Sequence, residues 1–216
     1  MHQHQLITYM SRFKLLEESV HPEPKCFTDK GYSELHSFMS PLKSERELTN
    51  TEFRHLKNHY ITNYSPEPEA LESMDQNVQI WHRCRVDKTI FHCSHNQHRN
   101  STRLNHLVCI EETVDVNARF RHGVRPERMV PHNFYAYVHF YCVHTFLEEP
   151  HMLMYSSYRK VLVHDGLVKD KGPQHDGFQD IRVLQHPCVK VTGYGGKVFF
   201  VDEPEVMEVR LREALL

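Results

Sequence analysis

No run of apolar residues in this 216-residue chain approaches the roughly 20 that a bilayer-crossing helix needs. The first residues carry no charged stretch leading into an apolar core of the secretory kind, so the expectation is against secretion. The six cysteines (Cys26, Cys84, Cys93, Cys109, Cys142 and Cys188) include no C-x-x-C pair. In a chain of this length that predicts reduced, mostly buried thiols and a cytoplasmic or nuclear setting. There is no G-x-S-x-G elbow and no phosphate loop. Gly193-Tyr194-Gly195-Gly196 lacks a following Lys-Ser/Thr and reads as a hairpin turn. Glycine itself is scarce, eight residues in a chain with many turns.

What is present is ordinary in bulk and unusual in detail. Hydrophobic residues at 39% and charged residues at 25% are globular proportions, which excludes wholesale disorder. The length suits one hydrophobic core, or one β domain with a helical appendage. Histidine is abundant, nineteen residues spread through every segment. The net charge of −2 conceals an asymmetry: residues 1–76 hold 8 Lys/Arg against 12 Asp/Glu, 77–130 hold 9 against 5, and 131–216 hold 9 against 11. Only the middle segment, at +4, is a candidate face for an anionic ligand.

Periodicity divides the chain at about residue 76. Leu6, Met10, Phe13 and Val20 share a helical face that His21-Pro22-Glu23-Pro24 stops. Leu35, Phe38 and Met39 predict a short helix ended by Pro41. Thr49-x-x-Glu52 is a capping-box pattern opening a helix with Phe53, Leu56 and Tyr60 on its apolar stripe. Ser65-Pro66-Glu67-Pro68 and the acidic residues to Asp75 then predict a linker. From Asn77 the period becomes 2. Val78, Ile80, His82, Cys84 and Val86 alternate with Gln79, Trp81, Arg83 and Arg85, and Asp87-Lys88 turns this strand into Thr89–Cys93. Further strands are expected at 107–110, 134–143, 158–163, 181–183, 189–191 and 197–201, with Asp165-Gly166 as a turn. In the 134–143 strand Phe134, Ala136, Val138, Phe140 and Cys142 face one side, and Tyr135, Tyr137 and Tyr141 the other. A last helix is expected from Pro204, carrying Met207, Leu211 and Leu215. The pattern predicts an α+β chain: a helical N-terminal segment with an acidic linker over 1–76, then a mainly antiparallel, barrel-like β domain over 77–216 ending in a short helix.

Three constellations carry candidate chemistry. His82, Cys84, His92, Cys93, His95 and His98 are residue types that zinc prefers. Their spacing matches no standard finger, and His92 and Cys93 would face opposite sides of a strand; the competing reading makes the thiols core residues. Arg83, Arg85, Lys88, Arg99, Arg103, Arg119 and Arg121 form the basic middle, with guanidinium forks suited to phosphate. Its competing reading is a solvated sheet face and an exposed loop. Trp81, Tyr135, Tyr137 and Tyr141 offer an aromatic surface for stacking bases or caging a methylated lysine, against ordinary packing on a sheet.

The segment 78–140 also carries a family resemblance. Arg83-Cys84-Arg85-Val86, the aromatic Phe91, Arg99-Asn100-Ser101, Leu107-Val108 and Tyr135-Ala136-Tyr137-Val138-His139-Phe140 follow one another. That order resembles the non-catalytic, β-rich C-terminal region of CACTA-type (En/Spm-like) transposases and their domesticated relatives. The family's Tyr-Gly-x-Ile strand has no counterpart here, and 115–131 stands in its place. With Pro187-Cys188-Val189 and Val198-Phe199-Phe200-Val201 the same region is distantly similar to a bromo-adjacent homology (BAH) domain. The resemblance implies a nuclear, transposon-derived module that binds chromatin, DNA or a protein partner without catalysis. The family's acidic catalytic triad matches nothing in this chain. Two other readings stand beside it: a zinc-dependent hydrolase or nuclease-like enzyme built on the 82–98 cluster, and a degenerate reading frame.

Overall fold

The computed structural model describes residues 26–27, 32, 36–39, 44–94, 106–118, 126–164 and 167–201. They form a mostly antiparallel β protein whose main sheet curls into a half-barrel, with few helices. The strands are β1 (Cys26–Phe27), β2 (His36–Met39), β3 (Ser44–Glu47), β4 (Asn77–Trp81), β5 (Arg83–Val86), β6 (Thr89–His92), β7 (Leu107–Asp115), β8 (Met129–Phe146), β9 (Glu149–His164), β10 (Leu167–Asp180), β11 (Leu184–Pro187), β12 (Val189–Thr192) and β13 (Val198–Val201). Helix α1 spans Asn50–Tyr64 and α2 spans Pro68–Glu72. A four-stranded sheet runs β1-β2-β5-β6, and a nine-stranded sheet runs β11-β7-β8-β9-β10-β13-β12 with β4 on β8 and β3 on β4.

The meander β7-β8-β9-β10 is the frame. Where both faces are covered, at 107–110, 135–143 and 152–155, strands β7, β8 and β9 are largely apolar on both sides. On one face Val108, Ala136, Val138, Met154 and Tyr158 pack against Phe38, Cys84 and Phe91 of the small sheet. The other face carries two separate cores. Leu107, Cys109, Tyr135, Val168, Cys188 and Phe200 close one end, and Phe140, Cys142, Leu153, Tyr155 and Phe178 sit beneath α1 at the other.

A bulge decides how β8 serves these cores. The ladder to β9 shifts register between Val138 and Phe140, leaving His139 as the extra residue. Before the bulge the even residues face the small sheet; after it they face α1, and Tyr141 and Val143 take the small-sheet side. The expected single face of Phe134, Ala136, Val138, Phe140 and Cys142 is therefore split at His139.

Helix α1 begins where local chemistry says it should. The Thr49 hydroxyl accepts from the Glu52 amide (3.3 Å) and the Glu52 carboxylate accepts from the Thr49 amide (2.9 Å), a complete capping box. Burial pushes the Glu52 carboxyl up, but the Thr49 amide and the Arg46 guanidinium outweigh it and hold the group below its usual range. At the far end Ser65 adopts a left-handed conformation (φ 47°) and its N–H reaches the Ile61 carbonyl. Leu56 and Tyr60 are fully buried on the sheet, each such side chain contributing about 1.5–3 kcal/mol. The stretch 65–76 returns along the surface, with Ala70, Leu71 and Met74 packed on the same core. Its base is fastened: the Leu48 N–H donates to the Gln76 carbonyl (3.0 Å), the Gln76 side-chain amide donates back to the Leu48 carbonyl, and the β3–β4 ladder begins next door at Glu47–Asn77.

Several expectations are corrected. Phe38 and Met39 lie in strand β2 and not in a short helix, because β2 pairs residue by residue with β5. Strands β2 and β3, both before residue 76, belong to the same sheets as the later strands. The expected single strand 77–86 is two strands in two sheets, broken at His82. Residues 181–183 form a 3-10 turn capped by the Asp180 carboxylate. The helices expected at 6–20 and from 204, and the turn at 165–166, lie outside the described residues.

Candidate nucleic-acid interface

The β5–β6 hairpin places the first basic residues. Cys84 and Val86 point into the core, and Cys84 stands opposite Phe38 and Phe91, all three fully buried. Alternation then puts Arg83 and Arg85 side by side on the opposite, outer face, both half-buried. Arg83 is opposite His92, and Arg85 is opposite Ile90 and Ser37. Asp87 takes a left-handed conformation (φ 53°) and closes the turn, leaving Lys88 exposed at the tip. Burial, and then the Arg83 charge, hold the His92 imidazole below its ordinary pKa, so at neutral pH it adds hydrogen-bonding capacity and no charge. Arg99, Arg103, Arg119 and Arg121 lie outside the described residues.

The aromatic surface is not assembled. Trp81, Tyr135 and Tyr141 are buried, and only Tyr137 is half-exposed. Trp81 and Tyr141 each pack on Phe38, at 6.2 and 5.7 Å between ring centroids, whereas Tyr135 packs on Phe200 (5.7 Å) in a different core. Two backbone events cause this. The break at His82 turns Trp81 inward, and the bulge at His139 places Tyr141 on the face opposite Tyr137.

The zinc residues are divided in the same way. Cys84 and Cys93 are core side chains, and burial drives the Cys84 thiol well above its ordinary pKa, so it stays protonated. Metals take the thiolate. The His82 carbonyl accepts from the Cys93 amide (3.2 Å). Among the described residues no three His, Cys, Asp or Glu side chains converge to hold a metal. His95 and His98 lie outside the described residues.

Sequence reasoning missed a polar seam between the two cores on the α1 face of the main sheet. His139 Nε2 lies 2.6 Å from Ser157 Oγ, and that hydroxyl donates to Asp176 Oδ1 at 2.5 Å. Beside it Arg159 forks onto Asp170 (2.7 and 3.1 Å) and covers the Tyr137 ring at 5.2 Å. The residue types are those of a hydrolytic triad, but the order is different. A carboxylate has no proton to give, so the single serine proton goes to Asp176 and the imidazole N–H donates to the serine oxygen. A nucleophilic serine instead gives its proton to the imidazole. In this order the seam does not prime Ser157. Ser157 and Arg159, at alternate positions of β9, are the signal that marks it in the sequence.

No family model, no curated protein and no solved structure matches this chain.

Proposed function

We propose that this chain is a non-catalytic recognition module that binds nucleic acid through the outer face of the β5–β6 hairpin. The observation that carries the reading is the pairing of Arg83 and Arg85 on one face of a hairpin whose other face is core, with Lys88 at its tip. Two arginines two positions apart on one strand offer guanidinium groups at a spacing suited to successive phosphates. The finer description, a transposon-derived, BAH-like module working in the nucleus on chromatin or DNA, follows the sequence resemblance. A protein partner is the competing occupant of the same face.

Binding of the full chain to a generic duplex tests this. Affinity should be measurable at low salt and fall steeply as salt rises. Each neutralised phosphate contributes a slope of about −0.9 in log K against log salt, so Arg83→Ala with Arg85→Ala should flatten the slope by about 1.8. Replacing the exposed Lys160, on β9, and Lys197, just before β13, should change it less. Absence of duplex binding at low salt, or a slope unchanged in a folded double variant, overturns the reading and leaves a protein partner for this face.

A further inference from the structure

Three histidines distant in sequence meet where α1 lies on the main sheet. His59 comes from α1, His144 from β8 and His151 from β9, and their exposures are 7%, 2% and 6%. His144 and His151 are directly opposed in the β8–β9 ladder. Tyr60 lies among them, with its ring 5.3 Å from His59, 5.5 Å from His144 and 5.4 Å from His151. We propose that α1 is an acid-released latch: protonation within the His59–His144–His151 cluster undocks the helix while the main sheet stays folded, uncovering Phe140, Leu153, Tyr155 and Phe178.

Hydrogen bonding favours the neutral forms of His144 and His59. The Asp75 carbonyl (3.0 Å) can only accept, so His144 Nε2 carries the proton and Nδ1 accepts from the Tyr60 hydroxyl (2.9 Å). A second proton on His144 would point at that hydroxyl's own hydrogen. The Phe178 carbonyl likewise takes the His59 Nδ1 proton (3.1 Å). That leaves the buried Nε2 lone pair without a partner, and a proton added there would meet no acceptor. His151 Nδ1 meets the Tyr64 hydroxyl at 3.2 Å.

The surrounding charges divide. Asp180 from the end of β10, Asp75 before β4 and Glu149 from β9 favour protonation. Arg182 and the histidines' mutual repulsion oppose it, and Tyr32, Tyr60, Tyr64 and Cys142 are further ionisable groups around the cluster among the described residues. Burial is the largest influence on each imidazole, and all three are held below their ordinary value, His59 at about 4.

The backbone provides the hinge. Residues 49–75 leave and rejoin the sheet at one point, the Leu48–Gln76 pair beyond the β3–β4 ladder. The excursion can therefore lift without threading or breaking a strand. Because docking keeps the imidazoles neutral, it is fully favoured above pH 6.5 and weakens as pH falls toward the docked value. With 6.5 undocked and about 4 docked, His59 alone lowers the docking equilibrium about 30-fold at pH 5.0. Glu52 acts in the same direction only lower, because its carboxyl is already held below 4.5.

Amide hydrogen exchange on the full chain at pH 7.0 and 5.0, corrected for intrinsic rates, tests the latch. Protection of 53–64 should fall by about 20-fold or more, and that of 135–142 and 152–156 by less than about threefold. His59→Asn keeps a donor for the Phe178 carbonyl and cannot titrate, so it should abolish most of the response; His151→Asn should reduce it. Wild-type α1 equally protected at both pH values overturns the latch. So does a loss shared by helix and sheet, or a full response in a folded His59→Asn chain. Should His59→Asn not fold at pH 7.0, the wild-type comparison and His151→Asn decide.

Discussion

Phe140 follows the bulge directly, and its replacement tests whether the strand changes faces there. The ring is 2% exposed, lies 5.2 Å from Tyr155 and 6.1 Å from Phe178, and carries the Arg46 guanidinium over it at 4.6 Å. Phe140→Ala should cost about 3–5 kcal/mol, a buried aromatic lost with little room for collapse between helix and sheet. Val138, fully buried on the opposite face, loses only two methyl groups, so Val138→Ala should cost about 2–3 kcal/mol including its cavity. Urea denaturation followed by the fluorescence of Trp81, the single tryptophan, should show the Phe140→Ala midpoint lowered by about 1–2 M at a slope of about 2–3 kcal/mol per M. Amide exchange gives the finer reading: Phe140→Ala should loosen α1 at neutral pH, and Val138→Ala should leave it docked. If both variants loosen α1 equally, Val138 and Phe140 share a face and the bulge assignment is wrong. A Phe140→Ala cost below about 1 kcal/mol would refute the placement of the ring in a core.

The capping box predicts that Thr49→Ala destabilises the chain by about 1 kcal/mol, measured by the same denaturation, while Thr49→Ser stays near wild type. The five described thiols, Cys84, Cys93, Cys109, Cys142 and Cys188, are all buried, and burial raises those of Cys84 and Cys142 well above their ordinary pKa. They should resist an aromatic disulfide reagent in native buffer and react on addition of denaturant; rapid native labelling of Cys84 or Cys142 would contradict the packing.

Features under local chemical control can be read from residue order alone. Thr49 and Glu52 name the start of α1 because a capping box involves residues three apart. Alternation and Asp87-Lys88 name the β5–β6 hairpin and put Arg83 and Arg85 opposite Cys84, because the period of a strand is two whatever surrounds it. The glycine turn at 193–196 is marked by residues that tolerate the positive φ found at Gly195 and Gly196. Where that alternation is interrupted depends on long-range packing. The bulge at His139 and the break at His82 arise because β8 and the 77–86 segment each serve cores on two sides, and nothing in residue type announces a change of partner. Strand β10 escaped the sequence pattern because Gly172, Pro173 and two register shifts interrupt a largely polar stretch that pairing with β9 holds extended. The histidine cluster was hidden for a related reason. His59, His144 and His151 look like any of nineteen histidines until a helix and a hairpin far apart in the chain bring them into one buried interface, where burial makes their protonation costly.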